Sequence, residues 1–244
     1  MKSACLLLLA TVLVWSGCTS TRQEYSARPS YITQTHETQS AVTPPQALEM
    51  LKQGNERFAS GHSLHRNLRE QVKRTSAHQY PYAAVVSCID SRAPAELIFD
   101  QGIGDIFNAR IAGNIINDDI LGSLEYSTKV AGAKLILVVG HTGCGAVGAA
   151  CDGTKMGHIT ELLAHIQPAV EAVKTPPGED RSSKNQSFVD KVAEDNVVVS
   201  METIRSRSSI LNDLINRGDV ALVGAMYDVK TGRVRFLVSP SAAR

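Results

Sequence analysis

Residues 134–145 read Lys-Leu-Ile-Leu-Val-Val-Gly-His-Thr-Gly-Cys-Gly. The run over 134–139, apolar from Leu135 onward, is short for a helix and suits a strand buried on both faces. The run ends in glycines that let the backbone turn, and it carries an imidazole and a thiol out of the strand. Three more apolar runs share its character, at 83–89, 106–111 and 220–226. Helical patterning fills 118–130 between the second and third strands, and 158–173 and 189–216 between the third and fourth. Apolar strands alternating with helices predict a parallel sheet covered on both faces. Lys230-Thr231-Gly232-Arg233 reads as a hairpin turn, so 234–238 returns antiparallel at the sheet edge. The expected fold class is α/β: a central, mainly parallel four-stranded sheet with an antiparallel edge strand, flanked by helices, with an N-terminal helical arm. In that arm Thr43-Pro44-Pro45-Gln46 offers a capping box with proline in the first turn, Gly61 offers a stop, and a shorter helix fits 64–77. Residues 174–187 read as a polar surface loop.

The composition is that of a globular chain. Of 244 residues, 43% are hydrophobic and 20% charged, with Lys plus Arg at 25 and Asp plus Glu at 24. This near-neutral balance, without a strongly basic run, argues against a nucleic-acid partner. Five cysteines are too few for a disulfide scaffold in a chain this long.

The start of the chain reads as a targeting segment. Lys2 precedes an uncharged, mostly apolar run of 12 residues over 4–15, shorter than the roughly 20 that a spanning helix needs. Ser16-Gly17-Cys18 follows directly and resembles the lipobox of bacterial lipoproteins, with Trp15 where an aliphatic residue is usual. The expectation is a signal peptide over 1–17, a lipidated Cys18 and an exported cell-envelope or periplasmic protein anchored to a membrane through that cysteine. Residues 19–43 are rich in Ser and Thr, 10 of 25, and read with Cys18 as a flexible tether over 18–43. The folded unit is expected over 44–244, and His36 is expected to be solvated.

Ligand sites in open α/β sheets lie beyond the carboxyl ends of the strands. Two motifs fall there: Ser87-Cys88-Ile89-Asp90-Ser91-Arg92 after the first strand and Gly140-His141-Thr142-Gly143-Cys144-Gly145 after the third. Two thiols and one imidazole form a donor set that suits zinc over magnesium or calcium, with a fourth position left for water or substrate. Cys88, His141 and Cys144 are the expected ligands of one zinc ion per chain. Gly143 and Gly145 allow close backbone approach beside it. His158 and His165 sit on a helical pattern and read as surface or packing residues, and Cys151 as a buried apolar thiol.

The combination of Cys-Ile-Asp-Ser-Arg with His-Thr-Gly-Cys, 53 residues from Cys88 to His141, resembles the β-class carbonic anhydrases. The likeness includes Ala93-Pro94-Ala95-Glu96, Phe99-Asp100-Gln101-Gly102, and Arg110-Ile111-Ala112-Gly113-Asn114, the last one substitution away from the family pattern. The resemblance implies the same three zinc ligands, CO2 and bicarbonate as substrate and product, and a homodimer or higher even oligomer. Asp90 can orient a zinc-held nucleophile or become a fourth ligand that closes the site. A bidentate pair with Arg92 would hold it to the first role. The resemblance also implies that Gln101 touches substrate across a subunit boundary and that Gly143 lies against substrate. Three alternatives remain on sequence: carbon disulfide hydrolysis at the same ligands, a non-catalytic zinc- or bicarbonate-binding module, and a Cys–His hydrolase with a free thiol.

Overall fold

The computed structural model describes residues 33–237. Five strands, β1 (Ala83–Ser87), β2 (Ile106–Arg110), β3 (Leu135–His141), β4 (Ala221–Tyr227) and β5 (Val234–Leu237), form one sheet in the order β2-β1-β3-β4-β5. The pairs β1–β2, β1–β3 and β3–β4 are parallel, and β5 closes the edge antiparallel to β4. The expected architecture is therefore present. The central strands β1 and β3 are buried along their whole length, which is why their sequences are continuous apolar runs without alternation.

Ten α-helices surround the sheet among the described residues: α1 (His36–Ala41), α2 (Pro44–Ala59), α3 (Leu68–Thr75), α4 (Ala95–Ile98), α5 (Asp118–Glu125), α6 (Gly145–Cys151), α7 (Gly157–Ala164), α8 (Gln167–Ala172), α9 (Gln186–Arg207) and α10 (Ser209–Asn216). Successive strand residues feed opposite faces. Ala83, Val85, Leu135 and Leu137 pack with Leu51 of α2 and Ile98 and Phe99 at the end of α4. Ala84, Val86, Ile136 and Val138 pack with Val192, Val197 and Ile204 of α9 and with Leu121 and Leu124 of α5. No helix among the described residues is long and apolar enough to cross a membrane.

The predicted capping box of α2 is made: Gln46 Oε1 accepts the Thr43 N–H at 2.9 Å, and Thr43 Oγ1 accepts the Gln46 N–H at 3.4 Å. Other boundaries move. The expected tether ends in structure, because α1 is capped by Thr35 and docked by Gln39. The buried Gln39 amide donates to the carbonyls of Pro81 at 2.7 Å and Ala131 at 2.8 Å. His36 is exposed, as expected, with its ring edge toward Tyr80 at 5.8 Å. The segment over 1–17, Cys18 and the tether up to 32 lie outside the described residues, as does 238–244.

The helix expected over 158–173 breaks into α7 and α8, with proline in the first turn of α8. The helix expected over 189–216 breaks at Ser208, whose hydroxyl caps α10 through the Leu211 N–H and donates to Glu125 at 2.6 Å. Residues 126–130 continue α5 as one wider π-helical turn. Helices α4 and α6 are additions to the sequence reading.

Gly54 of α2 marks the tightest helix contact: a Cβ there would lie 1.8 Å from the Phe99 carbonyl oxygen. Gly122 of α5 has nothing within 4 Å of the same position. Gly54→Ala is expected to destabilise by about 2–3 kcal/mol or more through backbone displacement. Gly122→Ala is expected to stabilise by about 0.5–1 kcal/mol through helix propensity. Thermal or urea unfolding of the two variants checks both signs.

Candidate metal centre

The β1–β3 ladder pairs Ser87 with Val139. Cys88, one residue beyond β1, therefore leaves the sheet beside the last residues of β3, which ends on His141. Cys144 follows a turn at Gly143 (φ 63°) and sits at the N-cap of α6. The ligand atoms of Cys88, His141 and Cys144 lie within 4.8 Å of one another, and the three residues are 5%, 1% and 2% exposed. Gly140 makes this packing possible. A Cβ there would come within 2.7 Å of Val197 and 2.8 Å of Met226.

His141 Nδ1 donates to the Thr142 carbonyl at 3.0 Å, which fixes the proton on that nitrogen and leaves Nε2 with a lone pair. Nε2 is buried without a hydrogen-bond partner. A buried, unsatisfied acceptor is costly unless something in the site takes its lone pair. The neighbouring Cys144 thiol, against the opposing effect of burial, holds the Cys88 thiol well below the ordinary thiol range. The adjacent Cys88 sulfur, with burial, pushes Cys144 well above the ordinary thiol range. Burial acts to lower the His141 imidazole, and the adjacent Cys88 sulfur overrides it and raises it. Two soft sulfurs and one free imidazole nitrogen converging out of water fit a zinc ion.

Asp90 stands beside this cluster. Arg92 Nε donates to its Oδ1 at 2.9 Å and Arg92 Nη2 to its Oδ2 at 2.7 Å, and the Arg92 backbone N–H adds a third bond to Oδ1 at 2.9 Å. These bonds hold the Asp90 carboxyl well below the usual carboxylate range. Its Oδ2 is 3.9 Å from His141 Nε2, so the carboxylate lies next to the ligand set while its charge is committed to Arg92. Arg92 Nη2 also reaches the Gly143 carbonyl at 3.2 Å.

Two contributors carried no assigned role in the sequence reading. Arg110, at the end of β2, donates through Nε to the Cys88 carbonyl at 3.0 Å and through Nη2 to the Asp90 carbonyl, fixing the backbone that bears both side chains. Its signal was its place in the Arg-Ile-Ala-Gly-Asn stretch. Asp190 of α9 accepts the Gly143 N–H at 2.9 Å, and nothing local in the sequence marks it.

Gln101 is not brought to the metal ligands of its own chain. Its Oε1 accepts from Tyr82 at 2.7 Å and its Nε2 donates to the Phe99 carbonyl at 2.5 Å, so the amide serves the packing of α4 against the start of β1. Cys151 is half-buried, with burial raising its thiol to about 11, and it stands outside the cluster. His158 and His165 are exposed.

Comparison with known proteins agrees with this geometry. Residues 83–234 match the family model described as carbonic anhydrase. The chain is 37% identical over 198 residues to carbonic anhydrase 2 of Mycobacterium tuberculosis, covering 79% of this chain and 92% of that one. It is 36% identical over 195 residues to the carbonic anhydrase of Mycolicibacterium smegmatis, covering 79% and 93%. Among solved structures, a tetrameric β-carbonic anhydrase of Sordaria macrospora superposes with a TM-score of 0.61 at 21% identity, covering 74% of this chain and 91% of that one. Its fold, its buried Cys88–His141–Cys144 cluster and these relatives together place the chain in the β-class carbonic anhydrase family.

Proposed function

We propose that the chain is a zinc enzyme that interconverts CO2 and bicarbonate, with Cys88, His141 and Cys144 as its ligands and Asp90 and Arg92 as its orienting pair. The observation that carries this reading is the unsatisfied His141 Nε2, buried in a cluster with two cysteine sulfurs and 3.9 Å from Asp90. When bound, zinc would supply Lewis acidity that acidifies a water ligand toward neutral pH.

The remaining roles belong to the chain. Two thiolates balance a dication, so the ligand set adds no net charge to a buried pocket. With its pKa held low, Asp90 is a weak base and a permanent hydrogen-bond acceptor; it orients a proton-bearing nucleophile without removing its proton. Arg92 keeps both carboxylate oxygens engaged and so keeps Asp90 from becoming a ligand. Arg110 holds the Cys88–Asp90 backbone against rotation. A Cys–His hydrolase would need one thiol free beside the imidazole, whereas here both sulfurs converge on it. A role for Gln101 at a neighbouring subunit's site would have to use its second amide N–H.

Assembly into a dimer or higher even oligomer is part of this reading. Ile89 and Leu97 are exposed at 60% and 64% on either side of the Asp90–Arg92 segment, and the Sordaria relative is tetrameric. Export with lipidation at Cys18 is also proposed, on the apolar run over 4–15 and the Ser-Gly-Cys that ends it.

Stopped-flow CO2 hydration on purified protein, with zinc quantified, tests the reading. Cys88→Ser and His141→Ala are expected to lose zinc and activity together; either variant holding one zinc per chain would refute the ligand assignment. Asp90→Ala is expected to keep zinc while losing about 10–100-fold in kcat/KM, in line with loss of an outer-shell partner of a metal. An unchanged rate would remove Asp90 from the mechanism. Globomycin is expected to accumulate a precursor retaining 1–17, and Cys18→Ala to abolish lipid labelling. A mature form insensitive to both would exclude the anchor.

A further inference from the structure

We infer that Asp190 is a positioning residue for the Asp90–Arg92 pair, acting through Gly143; this rests on the proposed zinc site with Asp90 held off the metal. Asp190 Oδ1 accepts the Gly143 N–H at 2.9 Å and is itself steadied by Gln186 Nε2 at 2.8 Å, one turn earlier on α9. The Gly143 carbonyl accepts from Arg92 Nη2 at 3.2 Å, and the same nitrogen donates to Asp90 Oδ2 at 2.7 Å. One continuous path of hydrogen bonds thus runs from the N-terminal turn of α9 to the carboxylate beside the ligands.

Two features make this path consequential. The Arg92 side chain is 51% exposed, so water competes for its pairing with Asp90, and an exposed ion pair holds its geometry weakly by itself. Among the described residues, the Gly143 carbonyl is the hydrogen-bond anchor that Arg92 has outside Asp90. Gly143 in turn has no steric restraint: it is left-handed, and a Cβ there would find nothing within 4 Å. A glycine in open space can rotate its peptides at little cost. The bond to Asp190 restrains the residue whose carbonyl steadies Arg92. Because both donors to Asp190 are neutral, the role needs an acceptor oxygen and not a charge, so asparagine can fill it.

The loss of Asp190 should therefore resemble a partial loss of Arg92: zinc stays, and Asp90 gains freedom to take the open coordination position. The test uses the full chain as Asp190→Ala and Asp190→Asn, each alone and combined with Arg92→Ala. Four quantities are read: metal content, thermal midpoint, kcat and KM for CO2, and the visible spectrum of the cobalt-substituted protein titrated with thiocyanate. Asp190→Ala is expected to keep one metal per chain and fall about 10-fold in kcat, the lower end for an outer-shell partner. Its cobalt spectrum is expected to respond weakly to thiocyanate, because Asp90 occupies the open position. Asp190→Asn is expected to restore both rate and response. In the Arg92→Ala background Asp190→Ala is expected to add nothing, since the path is already cut.

A wild-type rate and spectrum in Asp190→Ala, an equal extra loss in the Arg92→Ala background, or failure of asparagine to rescue would each overturn the inference. Wild-type protein that binds no zinc or hydrates no CO2 would instead overturn the proposed function. Alanine is a strong helix former at this half-buried position, and the thermal midpoint separates unfolding from loss of positioning.

Discussion

Ser87 pairs with Val139 across the β1–β3 ladder, and this register brings the two halves of the site together. A slip of one residue would turn Cys88 toward the opposite face of the sheet. Two cores prevent it. On one face Val85 and Leu137 are fitted against Leu51, Ile98 and Phe99; on the other Val86 and Val138 are fitted against Val192 and Val197. Either shift would exchange these sets and leave cavities on both faces. The metal geometry is thus specified by apolar packing before any polar group contributes.

Helix α9 carries the next level of control. It approaches β3 closely because Gly140 has no side chain to hold it off, and that approach lets polar groups on the helix reach loops that touch the ligands. Asn196 Nδ2 donates to the Gly113 carbonyl at 2.7 Å, and the Ser200 hydroxyl donates to the Asn114 carbonyl at 3.1 Å. These bonds brace a left-handed turn at Gly113 (φ 69°) and Asn114 (φ 44°), whose Gly113 N–H lies 3.3 Å from Cys88 Sγ. At Gly113 a Cβ would sit 2.5 Å from Ile166, so space and conformation both demand glycine there. An N–H directed at a thiolate tempers its charge. The same helix therefore supplies much of the core on one face, holds the ligand-bearing loop after β3, and braces the turn that contacts Cys88.

The sheet and the ligand set were legible in the sequence because both are local signals repeated. Apolar runs such as 135–139 declare strands, and a Cys-x-Asp-x-Arg after one strand with a His-x-x-Cys after another declares convergence. What escaped depends on contacts distant in sequence. The segment 33–43 is too polar to suggest order, yet Gln39 docks it by two bonds to carbonyls 42 and 92 residues away. Ser208 breaks α9 from α10 through a bond to Glu125, which no pattern within 189–216 encodes. Gln101, expected to meet substrate across a subunit boundary, is also tied within its own chain to Tyr82 and the Phe99 carbonyl, which leaves its second amide N–H for that role. Asp190 is one acid on a polar helix turn, and only the tertiary fold shows what it holds.

Charge balance explains why so much structure is spent on holding Asp90. Cys88 and Cys144 as thiolates match a dication between them, and the imidazole of His141 is neutral with its proton fixed on Nδ1. A third anion beside this set has no matching charge except Arg92. With Arg92 in place, Asp90 is satisfied at both oxygens and has little to gain by coordinating a metal. Without it, a carboxylate next to a cation would bind the cation, since an unpaired charge in a partly desolvated site is costly. Substrate would then meet a filled coordination sphere. The open site therefore depends less on the three ligands than on how firmly a half-exposed arginine is held, and Asp90, its own backbone amide and the Gly143 carbonyl are all engaged in that task.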